Sequence, residues 1–400
     1  MASPRVSVII PVHNAGKYLE QCLDSVLSQT EKNIEVICVN DSSTDNSQEI
    51  LERYSHIDQR IILLNAECHC AGTARNFGMD KAQGEYLSFL DADDFFELDM
   101  LKETANSLDE TGADIVVYES WLFDTVANAD RYAKWILKTD LLPDKPLFSW
   151  RDIPNSIFNA FGNYTWNKLF RRSLIQDRNI RFQEIPRTND LLFTCVALIE
   201  AKGITTIKKP FAHYRINTST SLQASNDKSP TAFIDAFFEL HHKLCELGLD
   251  SDLMQSFLAH LLDGVLANAN SVKTLESLIQ IKRATLNQIE PRFELLKQRD
   301  YILDDSQLNQ YKSLLTLELD EYLLVRTHCL ASEKNELARY AEWTEWKLWQ
   351  ASTCISELEE RLNTSIPQKA KRFAMSLYRR LQFEKERSDA LKGHRSALLR

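Results

Sequence analysis

Two stretches of sequence determine the fold: VSVIIPVHN at residues 6–14 and FLDADD at residues 89–94. The first seven residues of VSVIIPVHN are apolar almost throughout, which is typical of a β-strand covered on both faces. The stretch then ends at the polar residues His13 and Asn14. FLDADD continues another apolar run and ends in three acidic residues within four positions. We predict that both are strands of one parallel sheet, with their polar ends at the same edge.

Strand and helix signals alternate between residues 5 and 120. Apolar residues recur at helical spacing after the first strand, and the alternation then continues along the chain. The predicted helices are 18–27, 47–54, 71–82 and 99–108, and the further predicted strands are 34–39, 60–64, 85–90 and 114–119. This order predicts an α/β fold with a doubly wound, mostly parallel sheet, in which ligands bind beyond the carboxyl ends of the strands.

The chain is less regular beyond this region. Five prolines punctuate residues 121–228, where we predict strands near 204–207 and 211–216. After about residue 230, glycine and proline become rare and Leu, Glu, Lys, Gln and Ala dominate, which favours an all-helical C-terminal region. The sequence therefore predicts three parts: an α/β domain at 1–228, a helical extension at 229–366 and a basic amphipathic tail at 367–400.

Composition and charge exclude several classes of protein. The chain has 400 residues, 44% of them hydrophobic, and a formal net charge of −10, so it is globular and we expect no bulk affinity for nucleic acid. No export signal and no apolar run of about 18 residues is visible, so we expect a cytoplasmic protein without a spanning helix. Eight scattered cysteines favour reduced thiols, and Cys68-His69-Cys70 lacks the second ligand pair of a zinc site.

The last part of the chain differs from the rest in charge. Residues 367–400 contain ten Lys and Arg against three Asp and Glu. Phe373, Leu377 and Leu381 recur at every fourth position, which places them on one face of a helix. A basic amphipathic helix of this kind can lie on an anionic membrane, so we expect peripheral attachment to the inner face of the cell membrane. The alternatives are a solvated helix and a coiled-coil strand that binds another protein.

A polar loop follows the second predicted strand. It contains Asp41, Ser43 and Thr44 and borders the next helix. One carboxylate and the backbone groups of such a loop can form the hydrogen bonds of a base and a ribose. The alternative is that these side chains only cap the helix.

The acidic loop after the fourth predicted strand indicates a metal site. Asp91, Asp93 and Asp94 directly follow apolar residues, and like charges this close repel unless a cation lies between them. Carboxylate oxygens are hard ligands that suit Mg²⁺ or Mn²⁺, and such an ion would bridge to phosphate oxygens. The alternative is a solvated acidic start of a helix before Phe95.

Two common phosphate-binding patterns are missing from the sequence. The stretch GTARNFG at residues 72–78 is not G-x-G-x-x-G, and no G-x-x-x-x-G-K-[ST] occurs. Dinucleotide redox chemistry and P-loop hydrolysis of nucleotides therefore lack their usual phosphate cradle.

Four ordered stretches carry a family resemblance. They are VSVIIPVHNAGKYLEQCLDSVLSQT at 6–30, IEVICVNDSSTDNS at 34–47, AGTARNFGMDKAQGEYLSFLDADD at 71–94 and WNKLFRRSLI at 166–175. Together they resemble family 2 glycosyltransferases of the GT-A fold, over about residues 5–220. The resemblance implies that the α/β domain transfers a sugar with inversion from a nucleotide-sugar, usually a UDP-sugar, with Mn²⁺ or Mg²⁺ as cofactor.

The resemblance also implies roles for the loops that bind the nucleoside. Pro11, Val12 and Asn14 would border the nucleoside, and Asp41 would bind the uracil. Arg75 would lie near the base or the diphosphate. These five residues come from three separate strand-to-helix connections, so the resemblance predicts that all three meet at the donor.

The acidic loop matches the family's DxD motif. Asp91, Ala92 and Asp93 would contact the nucleotide-sugar, and the two carboxylates would bind the metal, Asp93 most directly. In the polar loop, Ser42 stands where the family commonly has glycine. This substitution predicts slightly different loop dihedrals, because glycine adopts positive φ without steric cost.

A catalytic base is implied on a later helix. In this family a carboxylate there deprotonates the acceptor hydroxyl, and TNDLLFTCVALIE at 188–200 offers Asp190. Asn189 departs from the usual glutamate. An inverting transfer needs one general base and no covalent intermediate. The alternative for Asp190 is a carboxylate that the helix dipole stabilises.

Two further residues have both a functional and a structural interpretation. Trp166 can stack on a sugar face in the donor or acceptor pocket, or it can pack in the core. His213 can reach the metal or the phosphates, or it can have a structural role at a strand end.

The sequence thus predicts an inverting glycosyltransferase of surface-polysaccharide synthesis, such as lipopolysaccharide or capsule, with a saccharide or lipid-linked acceptor. The pathway follows from family analogy. A sugar nucleotidyltransferase is an alternative, although such enzymes usually have a Gly-rich loop with Arg or Lys after the first strand. A non-catalytic scaffold that binds a partner through its helical half is a third possibility, and the intact acidic residues argue against it.

Overall fold

A computed structural model describes residues 3–218, 226–298 and 305–326. Within these residues the chain forms two compact units. The first is drawn from Met1–Phe123 and Ala133–Leu315 and contains the sheet, most of the helices and the cavity described below. The second is drawn from Asp124–Tyr132 and from residues 316–326. The predicted tail at 367–400 lies outside the described residues.

The first part of the chain alternates strands and helices as predicted. The elements are β1 (Val6–Val12), α1 (Leu19–Leu27), β2 (Ile34–Asp41), α2 (Ser47–Ile57), β3 (Ile61–Ala66), α3 (Ala71–Met79), β4 (Tyr86–Phe89), β5 (Phe95–Phe96), α4 (Met100–Thr111) and β6 (Ile115–Asp124).

The later elements are more varied in length and order. They are β7 (Ala129–Tyr132), β8 (Lys168–Arg171), α5 (Arg172–Asp177), α6 (Asp190–Glu200), β9 (Ile204–Ile216), α7 (Ala232–Leu247), α8 (Asp250–Ser271), α9 (Leu275–Ala284), α10 (Glu290–Phe293) and α11 (Asp305–Thr316). Short 3₁₀ segments occur at Thr139–Leu141, Trp150–Asp152 and Leu295–Lys297, and a π-helical turn at Thr285–Ile289 joins α9 to α10.

The sheet places the two deciding stretches side by side. The strand order is β3-β2-β1-β4-β8-β6-β9-β5. β1 pairs in parallel with β2 on one side and with β4 on the other, with Val6 opposite Tyr86 and Ile9 opposite Phe89. The prediction that VSVIIPVHN and FLDADD form parallel strands with adjacent carboxyl ends is therefore confirmed.

The strand predicted at 114–119 is β6, which runs in the same direction as β4 but does not pair with it. β8 lies between β4 and β6 and is antiparallel to both. The chain makes a long excursion between β6 and β8 and returns to fill this position. The two strands predicted near 204–207 and 211–216 are one strand, β9, because Pro210 removes a hydrogen-bond donor but tolerates an extended backbone.

Helices cover both faces of the strands at the centre of the sheet, which explains why β1 and β2 are largely apolar. Leu19, Cys22 and Leu23 of α1 are fully buried in the same core cluster as alternate residues of β1. On the other face α3 approaches closely at Gly78, where a Cβ would lie 2.7 Å from the Cγ2 of Ile9. The buried polar side chains inside these strands are paired, since Ser7 Oγ donates to Glu35 Oε1 at 2.6 Å.

The described part of the chain after residue 231 is mainly helical, as the composition predicted. Phe233, Phe237, Leu240 and Leu244 are buried along one face of α7. The ring of Phe237 meets that of Phe257 from α8 edge-on, with centroids 6.3 Å apart. The helical region thus has its own aromatic core, while the boundary at residue 228 stays a prediction.

Across the described ranges, none of the helices combines the length and the apolar composition that crossing a lipid bilayer requires.

Candidate active site

A cavity of about 750 Å³ opens at the carboxyl ends of β1, β2 and β4. Nearly all of the predicted site residues line it: Pro11, Val12, Asn14, Asp41, Arg75, Asp91, Ala92, Asp93, Trp166 and Asp190. The strand ends form one wall, the start of α6 forms another, and helices α7 and α8 contribute the far side. Its size is within the usual range for small-molecule sites.

Asp41 organises the first strand-end loops. Its Oδ1 accepts hydrogen bonds from the backbone N–H groups of Cys68 and His69, at 2.7 and 3.1 Å. The side chain therefore braces the loop between β3 and α3 and does not cap α2, which was the alternative interpretation. Because Asp41 is buried and lines the cavity, its carboxylate faces a position suited to a base.

Asn14 joins the loop after β1 to the loop after β2. Its Oδ1 accepts from the Thr44 backbone N–H at 2.8 Å and from that of Asp45 at 3.3 Å. Both loops need positive φ, 50° at Asn14 and 52° at Ser42. Ser42 thus adopts backbone geometry that favours glycine, despite its side chain. The two loops form a preorganised rim around the predicted nucleoside position.

The three acidic residues of FLDADD have different environments. Asp91 Oδ1 accepts from Arg75 Nη2 at 2.5 Å. Burial, and then the charge of Asp91, raises the pKa of Asp93 to about 6. Asp94 is 1% exposed and accepts from the backbone N–H of Arg215 at 2.7 Å. Of the three carboxylates, only that of Asp91 has an ion-pair partner among the described side chains.

The acidic loop is not the start of a helix. The residues that follow it, Phe95–Phe96, form strand β5, and α4 begins only at Met100. The helix dipole therefore does not explain the acidic residues, and the solvated-helix alternative fails. Asp93 lines the cavity and forms no ion pair with a described side chain, although the charge of Arg215 lies nearby, and such a carboxylate fits a divalent cation. The described residues contain no group of three or more His, Cys, Asp or Glu side chains gathered as a metal centre.

Arg75 connects the acidic loop to the loop that precedes α6. It is 6% exposed, and its Nη1 donates to Asn189 Oδ1 at 2.9 Å while Nη2 donates to Asp91. The guanidinium also lies over the Phe182 ring, 5.3 Å from its centroid. Sequence analysis placed Arg75 near the base or diphosphate and did not identify these two partners. The amide of Asn189, where the family commonly has glutamate, provides a neutral acceptor for Arg75.

Asp190 is the first residue of α6 and faces the cavity. Burial raises the pKa of Asp190 to about 6, and the nearby charge of Arg75 offsets part of that effect. A helix N-terminus lowers a carboxylate pKa, so here burial outweighs the dipole. A carboxylate with a pKa near 6 is a competent general base at neutral pH.

The stretch WNK forms a buried support beside Asp190. Lys168 is fully buried, and its Nζ donates to the carbonyl oxygens of Gly162 and Tyr164 and to Asn167 Oδ1, at 2.7, 2.6 and 2.8 Å. Burial lowers the pKa of Lys168 to about 7. The ammonium group thereby fixes the loop at 162–166 that forms one wall of the cavity. Sequence analysis did not predict this role.

Trp166 and His213 have mainly structural surroundings. Trp166 is 2% exposed and stacks on Tyr214, with centroids 5.2 Å apart and planes 5° apart. His213 stacks on Phe95 at 4.2 Å, and its Nε2 lies 2.9 Å from Glu97 Oε1. The residues that line the cavity do not include His213. The structure therefore favours the core interpretation of Trp166 and the structural interpretation of His213.

Comparisons with known proteins agree with this arrangement. Residues 7–178 match the family described as "Glycosyl transferase family 2". Residues 7–178 therefore form a domain of glycosyltransferase family 2.

Curated relatives of the family 2 domain come from several bacteria. The chain is 32% identical over 238 residues to "Putative glycosyltransferase EpsH" of Bacillus subtilis, which covers 57% of this chain and 65% of the relative. It is 26% identical to "Glycosyltransferase GlyA" of Streptococcus pneumoniae, over 74% of this chain and 43% of the relative. The chain thus spans about half to two thirds of the length of these relatives.

Solved structures share the fold of the family 2 domain. S. aureus TarS 1-349 in complex with UDP-GlcNAc aligns with a TM-score of 0.61 and 22% identity, over 80% of this chain and 89% of that chain. At this identity the likeness is evidence of a common fold. The fold prediction, a GT-A-type mostly parallel sheet followed by a helical C-terminal region, is confirmed.

The family match ends at residue 178, before Asp190 and before the loop and helices that form part of the cavity wall. The sequence did not predict a further set of cavity residues, some of them inside the match and some beyond it. They include Trp135, Lys138, Asn163, Arg187, Phe233, Phe237, His260, Asp263 and Asn268. No motif in the sequence identifies this set.

Proposed function

We propose that the chain is an inverting, metal-dependent glycosyltransferase that moves a sugar from a UDP-sugar to a saccharide or lipid-linked acceptor. One observation carries the proposal: Asp41, Asp91, Asp93 and Asp190 line a single cavity although they come from three separate parts of the sequence. Each has the carboxylate that one step of such a transfer requires. Arg75 ties two of these parts together through its bonds to Asp91 and Asn189.

The donor would bind at the strand-end wall. Asp41, held by the backbone of the β3–α3 loop, would accept from the uracil, and Pro11, Val12 and Asn14 would border the nucleoside. Support comes from the crossed hydrogen bonds of Asn14, which fix the rim before any ligand arrives. It also comes from the shared fold with TarS, whose structure contains UDP-GlcNAc.

Asp93 and Asp91 would hold the divalent cation. Mg²⁺ and Mn²⁺ in nucleotide sites typically take one or two carboxylates, with phosphate oxygens and water as the other ligands, so a larger protein cluster is unnecessary. When bound, the cation supplies charge to stabilise the departing diphosphate. Burial makes the charged form of Asp93 costly, and a cation beside it would offset that cost.

Asp190 would act as the general base. Its position at the start of α6, across the cavity from the strand ends, suits removal of a proton from an acceptor hydroxyl. Arg75 would hold Asn189, the residue before the base, in a fixed relation to the metal loop. Positioning of this kind is how an enzyme keeps reacting groups in register without a covalent intermediate.

The biological setting follows from the relatives and from the tail. The TarS of Staphylococcus aureus is a "Poly(ribitol-phosphate) beta-N-acetylglucosaminyltransferase", and the chain matches it at 26% identity over 63% of this chain and 42% of the relative. We place the present chain in surface-polysaccharide synthesis, such as lipopolysaccharide or capsule, at the cytoplasmic face of a membrane.

Residues 367–400 would dock the chain on that membrane. Truncation after Ile366 should abolish co-sedimentation with anionic liposomes, and equal co-sedimentation would exclude the tail as the anchor.

The decisive experiment measures turnover of a panel of UDP-sugars by the full chain. We expect slow hydrolysis of one UDP-sugar, dependent on Mn²⁺ or Mg²⁺ and abolished by excess EDTA. Formation of a UDP-sugar from UTP and a sugar phosphate would instead indicate a nucleotidyltransferase. No turnover of any UDP-sugar, together with no binding of UDP, would favour the scaffold and refute the proposal.

A further inference from the structure

The half of the cavity away from the strand ends has a distinct chemistry. Its walls come from the segment at 135–166, from the loop before α6 and from α7 and α8. The strand-end half presents the carboxylates of Asp91 and Asp93, whereas this half presents the cations Lys138 and Arg187. A third cation of the cavity, Arg75, is paired with Asp91, whereas Lys138 and Arg187 form no ion pair with a described carboxylate, and in a protein with a net charge of −10 this requires an explanation.

Lys138 has no carboxylate partner within ion-pair distance in the part of the chain that the structure describes. It is half-buried, and its charge reaches His260. Burial, assisted by Lys138, lowers the pKa of His260 to about 4, so this imidazole is neutral and its Nε2 lies 2.8 Å from Asn163 Nδ2. The ammonium group of Lys138 therefore stands beside neutral polar groups that leave its charge uncompensated.

Arg187 is bonded to neutral oxygens. Its Nη1 donates to the carbonyl oxygens of Asn226 and Ser229 at 3.1 and 3.4 Å, and Nη2 donates to Asn268 Oδ1 at 3.5 Å. These bonds are long, and no carboxylate of the described residues forms an ion pair with the guanidinium. The nearby carboxylate of Asp227 instead accepts from the Thr274 backbone N–H at 2.9 Å, at the start of α9. A half-buried guanidinium held in this way is positioned but not neutralised.

One carboxylate of α8 also lines this half and is held by a side chain of α11. Asp263 lines the cavity, and its Oδ1 accepts from Gln307 Nε2 at 2.5 Å. Aromatic groups complete the surface. Trp135 is 43% exposed, and its ring meets Tyr164 edge-on with centroids 5.4 Å apart. An exposed tryptophan face beside polar groups is suited to contact with a sugar or polyol chain.

We infer that this half of the cavity binds the acceptor and that the acceptor carries a phosphate group, which Lys138 and Arg187 recognise while Trp135 packs against its carbohydrate part. The inference rests on the proposed transfer reaction and specifies the class of its acceptor. Guanidinium and ammonium groups are the usual partners of phosphate oxygens, so a phosphate bound in this half would compensate the charge of the cations that line it. In this arrangement the carboxylates at one end would bind the metal and the donor, and the cations at the other end would bind the acceptor.

The test is a binding titration on the full chain with saturating UDP and Mn²⁺, so that added phosphate does not enter the donor end. Two matched pairs of probes are titrated at constant ionic strength: glucose 6-phosphate against glucose, and geranyl phosphate against geraniol. We expect each phosphorylated probe to bind about tenfold more tightly than its neutral partner or better. Tighter binding of geranyl phosphate indicates a lipid-linked acceptor, and tighter binding of glucose 6-phosphate indicates a phosphorylated saccharide.

Variants assign the effect to the two cations. Lys138→Met and Arg187→Gln should each remove most of the phosphate preference and leave the affinity for UDP unchanged. Lys138→Arg should retain the preference because it keeps the charge, and this separates recognition from a folding defect. Lys134→Met removes an exposed charge four positions away, outside the cavity, and should have no effect.

Equal binding of phosphorylated and neutral probes would overturn the inference, and so would a preference that survives both neutral substitutions. The proposed function is judged separately, since UDP binding and UDP-sugar turnover depend on the other end of the cavity. A chain that turns over a UDP-sugar but shows no phosphate preference would keep the function and lose this inference. A chain that binds no UDP would instead fail as a transferase.

Discussion

The two ends of the cavity differ in their charged side chains and in how they are built. The end to which we assign the donor consists of loops that directly follow strands of a parallel sheet, and its carboxylates lie within a few residues of buried apolar runs. The end to which we assign the acceptor consists of side chains from an irregular segment, from the loop before α6 and from two helices, and its cations are Lys138 and Arg187. A sheet edge can fix a metal and a nucleotide, whereas acceptor recognition is added by later elements that can differ without disturbing it.

Replacement of the proposed base, Asp190, should have the largest effect on the rate of transfer. Asp190→Asn keeps the shape of the side chain but cannot accept the proton, so we expect transfer to fall by about 10²- to 10⁴-fold. UDP affinity should not change, because the donor binds at the other end. The rate is measured by single turnover and UDP affinity by calorimetry. Loss of UDP affinity with an unchanged turnover rate would reassign Asp190 to the donor end.

Replacement of the proposed metal ligand, Asp93, should lower activity almost as much. It should not change the affinity for the acceptor probes. Asp93→Ala leaves the diphosphate without its main cation ligand, and we expect activity to fall by roughly 10²-fold or more while the protein stays folded. Affinity for the phosphorylated probes should persist. Asp235→Ala, which removes an exposed carboxylate of α7, is the matched control. Full activity of Asp93→Ala, or of the natural chain in excess EDTA, would contradict a metal at this position.

Two tryptophans that line the cavity should respond in opposite ways. Trp166→Ala removes a buried ring stacked on Tyr214 and should lower the free energy of unfolding by about 3–5 kcal/mol. Trp135→Ala should cost about 1 kcal/mol or less in stability but weaken acceptor binding by about three- to tenfold. Denaturant unfolding and probe titration measure the two effects. The comparison fails if Trp166→Ala is stable and loses acceptor affinity instead.

The pH dependence should be the mildest effect. Burial raises the pKa of Asp190 to about 6, so the carboxylate that acts as base forms as the pH rises through 6. Arg75 and Lys168 face this group as cations and favour the carboxylate, whereas Asp91 opposes it. We expect the transfer rate to fall by about tenfold for each pH unit below 6 and to level off above it. A rate that is flat between pH 5 and 7 would exclude Asp190 as the group that titrates.

Much of the donor end was predictable because its pattern is local. An apolar strand that ends in a polar loop is visible in a window of about ten residues, and parallel strands bring all such loops to one edge. The strand order beyond β4 was not predictable. β8 pairs antiparallel with β4 although a long stretch of chain separates them. A short stretch of sequence does not specify which strand of the sheet a later strand will pair with.

The connections between the loops depend on distance in sequence. Arg75 and Asn189 are 114 positions apart, and no motif around either residue predicts the hydrogen bond between them. His213 was a possible ligand of the metal or the phosphates, but its Nε2 lies 2.9 Å from Glu97, 116 positions away, and its ring stacks on Phe95. A polar side chain has several possible partners of similar chemistry, and only packing selects among them.

The sequence by itself determined the α/β order, the parallel centre of the sheet, and the carboxylates at its edge, because burial on both faces leaves a continuous apolar run that ends at a polar loop. The tertiary structure decided the bond of Arg75 to both Asp91 and Asn189, the burial of Lys168 and Trp166, and the assembly of Trp135, Lys138 and Arg187 into one wall. These features depend on which surfaces meet when helices α6, α7 and α8 pack, and that choice is made by long-range contacts that leave no periodic trace along the chain.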